Sequence, residues 1–252
     1  MKIRTAAFIF RRLIPGVVLG GAVTLFAHYT WLSPAPSPAR VGETVTVLLS
    51  SGHAFPESEE PVRGVELRMT LAGPSGASRA LTPKDQGRGP EAAFKVEAEG
   101  VYRVAGEYDR GVISRTPEGW KPGGRAEHPG AASVIKAYNS FLCAVRTPAA
   151  ALGSPEPLGL LFEVSWKVEG RKLVALATAQ GKPAEGVEIS AILGSGEAKP
   201  AGRTGRTGRA EIEVPESFKG SILLTGSLSK PMPAGSAYDE ERLSSSCLLA
   251  WD

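Results

Sequence analysis

The sequence predicts an all-β protein, with two tandem β-sandwich domains of the immunoglobulin-like or transthyretin-like kind after a signal peptide. Apolar residues alternate with polar ones along many short segments, which is the two-residue period of a strand. No stretch of 12 residues has a clean helical period. The 252 residues include 30 glycines and 20 prolines, and this abundance of turn residues is typical of many short strands.

Residues 1–27 are predicted to be the signal peptide. A leader with Lys and Arg precedes the uncharged run Leu13 to Ala27. A membrane-spanning helix needs about 20 apolar residues, so this shorter run fits a signal-peptide core better. Cleavage after Ala27 would make His28 the first residue of a periplasmic protein that does not span the membrane. The alternative is an uncleaved membrane anchor.

Residues 28–147 are predicted to form the N-terminal domain. In "ETVTVLLSSG" the side chains of Val45, Val47 and Leu49 share one face of a strand. Similar alternation follows in "GVELRMTLAGPSG" and in "AAFKVEAEGVYRVAGEYD", where a turn separates two strands. The segment "SVIKAYNSFLCAVR" fits either a strand or a short helix, because its apolar spacing is ambiguous.

Residues 148–160 are predicted to be a linker, and residues 161–252 a C-terminal β-sandwich domain. The linker region is rich in proline and has no clear period. Beyond it, "KLVALATAQGKPAEGVEISAIL" has the pattern of a strand, a turn and another strand. The segments "GSILLTGSLS" and "SSSCLLAW" supply late strands of the second domain.

Composition and motifs argue against several function classes. The formal net charge is only +3 and the basic residues are dispersed, so nucleic-acid binding is not expected. The sequence contains none of the common hydrolase, zinc-protease or phosphate-binding motifs, so we expect no enzyme activity. An exported chain meets an oxidising compartment, where Cys143 and Cys247 either form a disulfide or remain two buried thiols.

The three histidines are the candidate metal ligands. His28 would offer both an imidazole and a free α-amine after cleavage, and His53 follows a predicted strand in "SSGHAFPESEEP". We predict that these two residues bind one divalent transition-metal ion. His128, in the loop "EGWKPGGRAEHPGA", or one of Glu57 and Glu59 would complete the set of ligands. Neutral imidazole suits nickel, cobalt, copper and zinc.

Four segments resemble an exported bacterial family, that of domain of unknown function 4198: "AHYTWLSP", "VGETVTVLLSSGHAFP", "RTPEGWKPG" and "LGSPEPLGLLFEV" leading to "GKPAEGVEI". His28 with Trp31-Leu32 matches the first motif of the family. Gly52, His53, Phe55 and Pro56 match the second. The resemblance implies an exported β-rich protein associated with nickel or cobalt uptake, and it implies no reaction.

The sequence is consistent with two functions, one in metal binding and one in cell-envelope structure. The first is a periplasmic divalent-metal-binding protein for uptake or storage, with nickel or cobalt as the favoured ion and copper or zinc as alternatives. Its expected partner is a metal-uptake transporter or an outer-membrane receptor. The second is a non-catalytic scaffold or adhesion module of the cell envelope, in which the histidines are structural.

Overall fold

The computed structural model of the protein describes residues 28–251, which form strands, turns and loops and contain no helix. In chain order the strands are β1 (Tyr29–Ala35), β2 (Thr44–Gly52), β3 (Arg68–Ala72), β4 (Ser78–Leu81), β5 (Lys84–Asp85), β6 (Pro90–Lys95), β7 (Val101–Thr116), β8 (Gly119–Pro122), β9 (Ser133–Arg146), β10 (Phe162–Glu169), β11 (Lys172–Ala179), β12 (Lys182–Pro183), β13 (Glu188–Leu193), β14 (Lys199–Arg203), β15 (Arg209–Ile212), β16 (Gly220–Pro231) and β17 (Glu240–Trp251). The predicted all-β class is therefore confirmed, and the ambiguous segment is strand β9. This part of the chain also holds no helix with the length and apolarity needed to cross a membrane.

The strands form three sheets, and the largest contains strands from both halves of the chain. Its order is β14-β13-β16-β17-β9-β7-β3-β4, with β8 added at β7. The seam between the halves is the parallel pairing of β9 with β17, which runs from Ile135 opposite Glu240 to Cys143 opposite Leu248. One outer sheet has the order β1-β2-β6-β5, and the other contains β10, β11, β12 and β15.

The two outer sheets lie on opposite faces of the large sheet. Along β9, Phe141, Cys143 and Val145 belong to the core beneath β1 and β2. Their neighbours Leu142 and Ala144 belong to the other core, beneath β10 and β11. Because successive side chains of a strand point to opposite faces, the central sheet is the middle layer of a three-layer stack.

Each core is built around fully buried aromatic side chains. Trp31 lies in the first core, while Phe162 and Trp166 lie in the second, and all three are completely shielded from solvent. Burying an aromatic side chain removes a large apolar area from water, so these residues hold each outer sheet onto the central sheet.

Both cysteines are reduced and buried. Cys143 faces the first core and Cys247 faces the second, so their side chains lie on opposite faces of the central sheet. Of the two alternatives that the sequence left open, the structure therefore has two buried thiols. Burial raises the pKa of Cys143 to about 12 and that of Cys247 well above its ordinary value, because a thiolate cannot be solvated there.

Residues 148–160, the predicted linker, contain no strand and run from β9 to β10. The buried carboxylate of Glu163 fixes the end of this segment, because it accepts hydrogen bonds from the backbone N–H groups of Leu158, at 2.9 Å, and Gly159, at 3.1 Å. Burial raises the pKa of Glu163, although these backbone donors oppose that shift. That residues 28–147 and 161–252 are separate domains stays a prediction.

Candidate metal centre

The antiparallel hairpin β1–β2 brings His28 next to His53. The register pairs Tyr29 with Gly52 at the end of the hairpin, so the next residue outward on each side is a histidine. The two imidazole rings lie with their centroids 3.8 Å apart and their planes at 47°. Two residues that are 25 positions apart in the sequence therefore meet because of strand register alone.

The loop after β2 folds back so that a carboxylate reaches this pair. The backbone N–H of Glu59 donates to the carbonyl of Ser51 at 2.9 Å, and a turn is closed by the N–H of Glu57 and the carbonyl of Ala54, also at 2.9 Å. These two bonds return the chain to the end of β2. The side chain of Glu59 then lies on the same side as His53.

Gly52 allows this close return of the loop. A Cβ at Gly52 would lie 2.5 Å from the carbonyl oxygen of Glu57 and 3.3 Å from the backbone nitrogen of Glu59. The first distance is shorter than any real contact of a Cβ, so a side chain at this position would displace the loop backbone. The sequence marked Gly52 as part of a motif, and the structure shows why a glycine is needed there.

Phe55 anchors the middle of the loop in the protein core. Its side chain is buried and meets the ring of Trp31 edge-on, with a centroid distance of 5.4 Å and an interplanar angle of 80°. Edge-to-face contacts of this kind stabilise aromatic pairs beyond the area they bury. The two motifs that carry the histidines are therefore also joined below the surface.

Glu59 and His53 form a close polar pair at the surface. The Nδ1 atom of His53 and the Oε2 atom of Glu59 are 2.7 Å apart, and each side chain is a little over a third exposed. This hydrogen bond lowers the pKa of the Glu59 carboxyl, so the group is ionised at neutral pH. The site therefore carries a negative charge that attracts a cation.

His28, His53 and Glu59 together form a group of three metal-ligating side chains. Their donor atoms all lie within 4.8 Å of one another. Donors bound to one transition-metal ion at about 2.1 Å are about 3 to 3.4 Å apart, so small side-chain rotations bring this group to bonding geometry. All three residues are exposed, so an ion can reach them from solvent.

The other predicted ligands, Glu57 and His128, are not in this group. Glu57 is exposed on the same loop, but it does not belong to the group of three. His128 lies in the loop between β8 and β9, where its Nε2 is 2.8 Å from the carbonyl oxygen of Pro122. Since a carbonyl only accepts, this nitrogen carries the proton there and offers no lone pair to an ion. The predicted signal peptide, residues 1–27, lies outside the described residues.

The solved structures to which this chain is similar include a distant one. It is a DUF4785 family protein from Legionella pneumophila subsp. pneumophila str. Philadelphia 1, with 11% sequence identity and a TM-score of 0.29. The match covers 79% of this chain, which spans about half (52%) of that protein's length. Similarity at this level carries no argument about function.

Among curated proteins, none matches this sequence. The model of one protein family does match, over residues 25–217, and its description is "Domain of unknown function (DUF4198)". The matched range includes both histidine motifs and most of the strands described above. The match also agrees with the resemblance to this family that the sequence motifs around His28 and His53 show. The chain therefore belongs to the family of domain of unknown function 4198.

Proposed function

We propose that this chain is an exported periplasmic protein that binds one divalent transition-metal ion, for uptake or storage of the metal. The observation that supports this most directly is the convergence of His28, His53 and Glu59, whose donor atoms lie within 4.8 Å of one another. Nickel and cobalt are the favoured ions, and copper and zinc are the alternatives. No step of catalysis is part of the proposal.

The donor types favour a transition metal over calcium or magnesium. Two imidazole nitrogens and one carboxylate oxygen suit nickel, cobalt, copper and zinc, whereas calcium and magnesium prefer oxygen ligands alone. Three protein donors leave coordination positions for water or for a donor from another molecule. A solvent-exposed site of this kind fits an ion that is picked up and released.

The two sides of the His53 ring can take different roles. If Glu59 keeps its hydrogen bond to Nδ1, the proton sits on that nitrogen and the metal would bind at Nε2. Glu59 would then orient His53 rather than bind the ion. If instead Nδ1 binds the ion, Glu59 becomes a ligand beside it. Both arrangements use the same three residues.

The α-amine of His28 is a fourth donor in the proposal if cleavage occurs after Ala27. An amine and an imidazole on one residue form a chelate, and the chelate would hold the ion at the start of β1. This part of the proposal depends on processing and is tested separately from the three side chains.

The second candidate function is a non-catalytic scaffold or adhesion module. The contact between His53 and Glu59, at 2.7 Å, closes the loop after β2 without any ion and supports a structural role for the histidine. In that case His28 would cover the pair of His53 and Glu59. The β-sheets of the protein would serve to present binding surfaces to other molecules.

Calorimetric titration of the exported protein, purified without an affinity tag, tests the proposal with nickel, cobalt, copper and zinc. We expect one ion per chain. His28→Ala and His53→Ala should each weaken metal binding by at least ~10–100-fold, which is the usual effect of losing a residue that supports a metal ligand. His128→Ala is the matched control and should bind like the parent. Native mass spectrometry of the parent gives the cleavage site and the bound metal together.

Two results would redirect the proposal. If both His28→Ala and His53→Ala bind all four metals as tightly as the parent, the metal site is wrong and the scaffold function is the better one. If a chain with extra residues before His28 binds with unchanged affinity, the α-amine takes no part.

A further inference from the structure

A depression of about 290 Å³ lies beside the candidate metal centre, on the face of the central sheet that carries the first core. The outer sheet ends at β1, so the neighbouring strands of the central sheet are left uncovered there. His28, Tyr29 and Thr30 border the depression on one side. Its floor, which we call the hydroxyl trough, consists of polar side chains on four strands: Asn139, Glu188, Ser190, Thr225, Ser227, Ser244 and Ser246.

Strand register arranges these side chains in two rows across the sheet. In the first row Ser190 is paired with Thr225, and Thr225 with Ser246. The second row contains the other four residues, in the order Glu188, Ser227, Ser244, Asn139. Neighbouring strands are about 4.8 Å apart and the two rows are about 7 Å apart, so the polar groups form a regular array.

Much of the hydrogen-bonding capacity of this array is unused. Among residues 28–251, the hydroxyls of Ser190, Thr225, Ser227 and Ser244, all on half-buried residues, have no hydrogen-bond partner within the protein. In the same part of the chain, the side-chain nitrogen Nδ2 of Asn139 is fully buried and also has no partner. Because this nitrogen has no exposed surface, the groups of the array that a ligand can reach are the four half-buried hydroxyls.

The floor of the trough offers no cationic side chain to an anionic ligand. No Lys or Arg is among the side chains that line it. Its one carboxylate, that of Glu188, forms an ion pair with Arg203. A phosphate or carboxylate would therefore lose its hydration without gaining a cationic partner, which is unfavourable. The lining favours a neutral ligand that exchanges many hydrogen bonds.

We propose that the hydroxyl trough binds a neutral, hydroxyl-rich small molecule, a saccharide of one or two rings. Each Ser or Thr hydroxyl both donates and accepts, which matches the hydroxyls of a sugar. The volume is near the lower limit of about 300 Å³ for small-molecule pockets. Tyr29, which borders the depression, packs against the first core and is only partly buried. This inference does not depend on metal binding.

The test is a two-dimensional NMR titration of the isotope-labelled exported protein with maltose, with N,N′-diacetylchitobiose and with the anionic digalacturonate. At least one neutral disaccharide should shift the backbone amides of β13, β16 and β17 in a dose-dependent way, and digalacturonate should not. Ser227→Ala and Ser244→Ala should each weaken the binding of that disaccharide about two- to tenfold, the usual effect of one lost hydrogen bond. The matched control is Ser78→Ala, an exposed serine of β4 at the far edge of the same sheet, which should leave binding unchanged.

The proposal is overturned if neither neutral disaccharide shifts these amides up to its solubility limit, or if digalacturonate binds as well as they do. Equal affinity of the parent and of both trough variants would also overturn it. The variants are titrated with nickel in parallel. Loss of sugar binding with unchanged nickel affinity assigns the trough its own ligand, and loss of nickel binding alone affects only the proposed metal function.

Discussion

Replacing Gly52 by alanine tests how the candidate metal centre is held together. The added Cβ would lie 2.5 Å from the carbonyl oxygen of Glu57, whereas ordinary contact begins at 3.4 Å. The loop backbone must therefore move by about 0.9 Å to relieve the overlap. Because this loop carries Glu59 back to His53, a shift of this size disturbs the approach of the carboxylate to the imidazole.

We expect Gly52→Ala to weaken nickel binding by about 10–100-fold, as loss of a supporting residue of a metal site does. The overlap also strains the fold, and overpacked sites usually cost about 1–3 kcal/mol of unfolding free energy. Calorimetric titration measures the first effect and urea denaturation the second. Gly205→Ala is the control, because a Cβ at Gly205 meets nothing within 4 Å.

A Gly52→Ala variant that bound nickel like the parent and unfolded at the same urea concentration would contradict both expectations. Unchanged stability with weaker binding would place the relaxation in the loop alone, which is still consistent with a positioning role. Lower stability with unchanged binding would mean that the three ligands do not depend on the return of the loop, and the role given to Gly52 would be wrong.

Two further predictions concern single groups. If Glu59 only orients His53, Glu59→Gln should weaken nickel binding less than tenfold, because the amide oxygen still accepts a hydrogen bond from Nδ1. If the carboxylate binds the ion, the same change should weaken nickel binding more than tenfold. Titration of the parent and the variant with nickel separates the two arrangements. Iodoacetamide should label neither Cys143 nor Cys247 in the folded protein, since both thiols are buried with raised pKa values, and should label both in denaturant without any reductant. Mass spectrometry counts the labels, and a failure to label in denaturant would mean a disulfide.

Local sequence patterns predicted many of the strands, because alternation and turn residues are local properties, whereas the resemblance to a family singled out the two histidine motifs. The segment that became β9 was ambiguous, since Tyr138, Leu142 and Ala144 serve one core while Phe141 and Cys143 serve the other. A strand buried on both faces loses its two-residue contrast and resembles a buried helix. Only the two flanking sheets explain its composition.

The candidate site was predictable in part. The sequence singled out His28 and His53, and the pairing of Tyr29 with Gly52 is what brings them together. It offered Glu57 and Glu59 as alternatives, because it does not show how the loop turns. The hydroxyl trough was missed, although Ser244 and Ser246 alternate in "SSSC", since the trough needs four strands from distant parts of the chain.

The parallel seam between β9 and β17 has a consequence for any attempt to produce the two halves separately. A chain cut within residues 148–160 would turn this interior seam into an open edge on each fragment, up to 14 residues long on β9 and 12 on β17. Such edges are templates for pairing with other chains, so each fragment would tend to self-associate. In the intact protein, β9 and β17 therefore shield each other's edge from pairing with other chains.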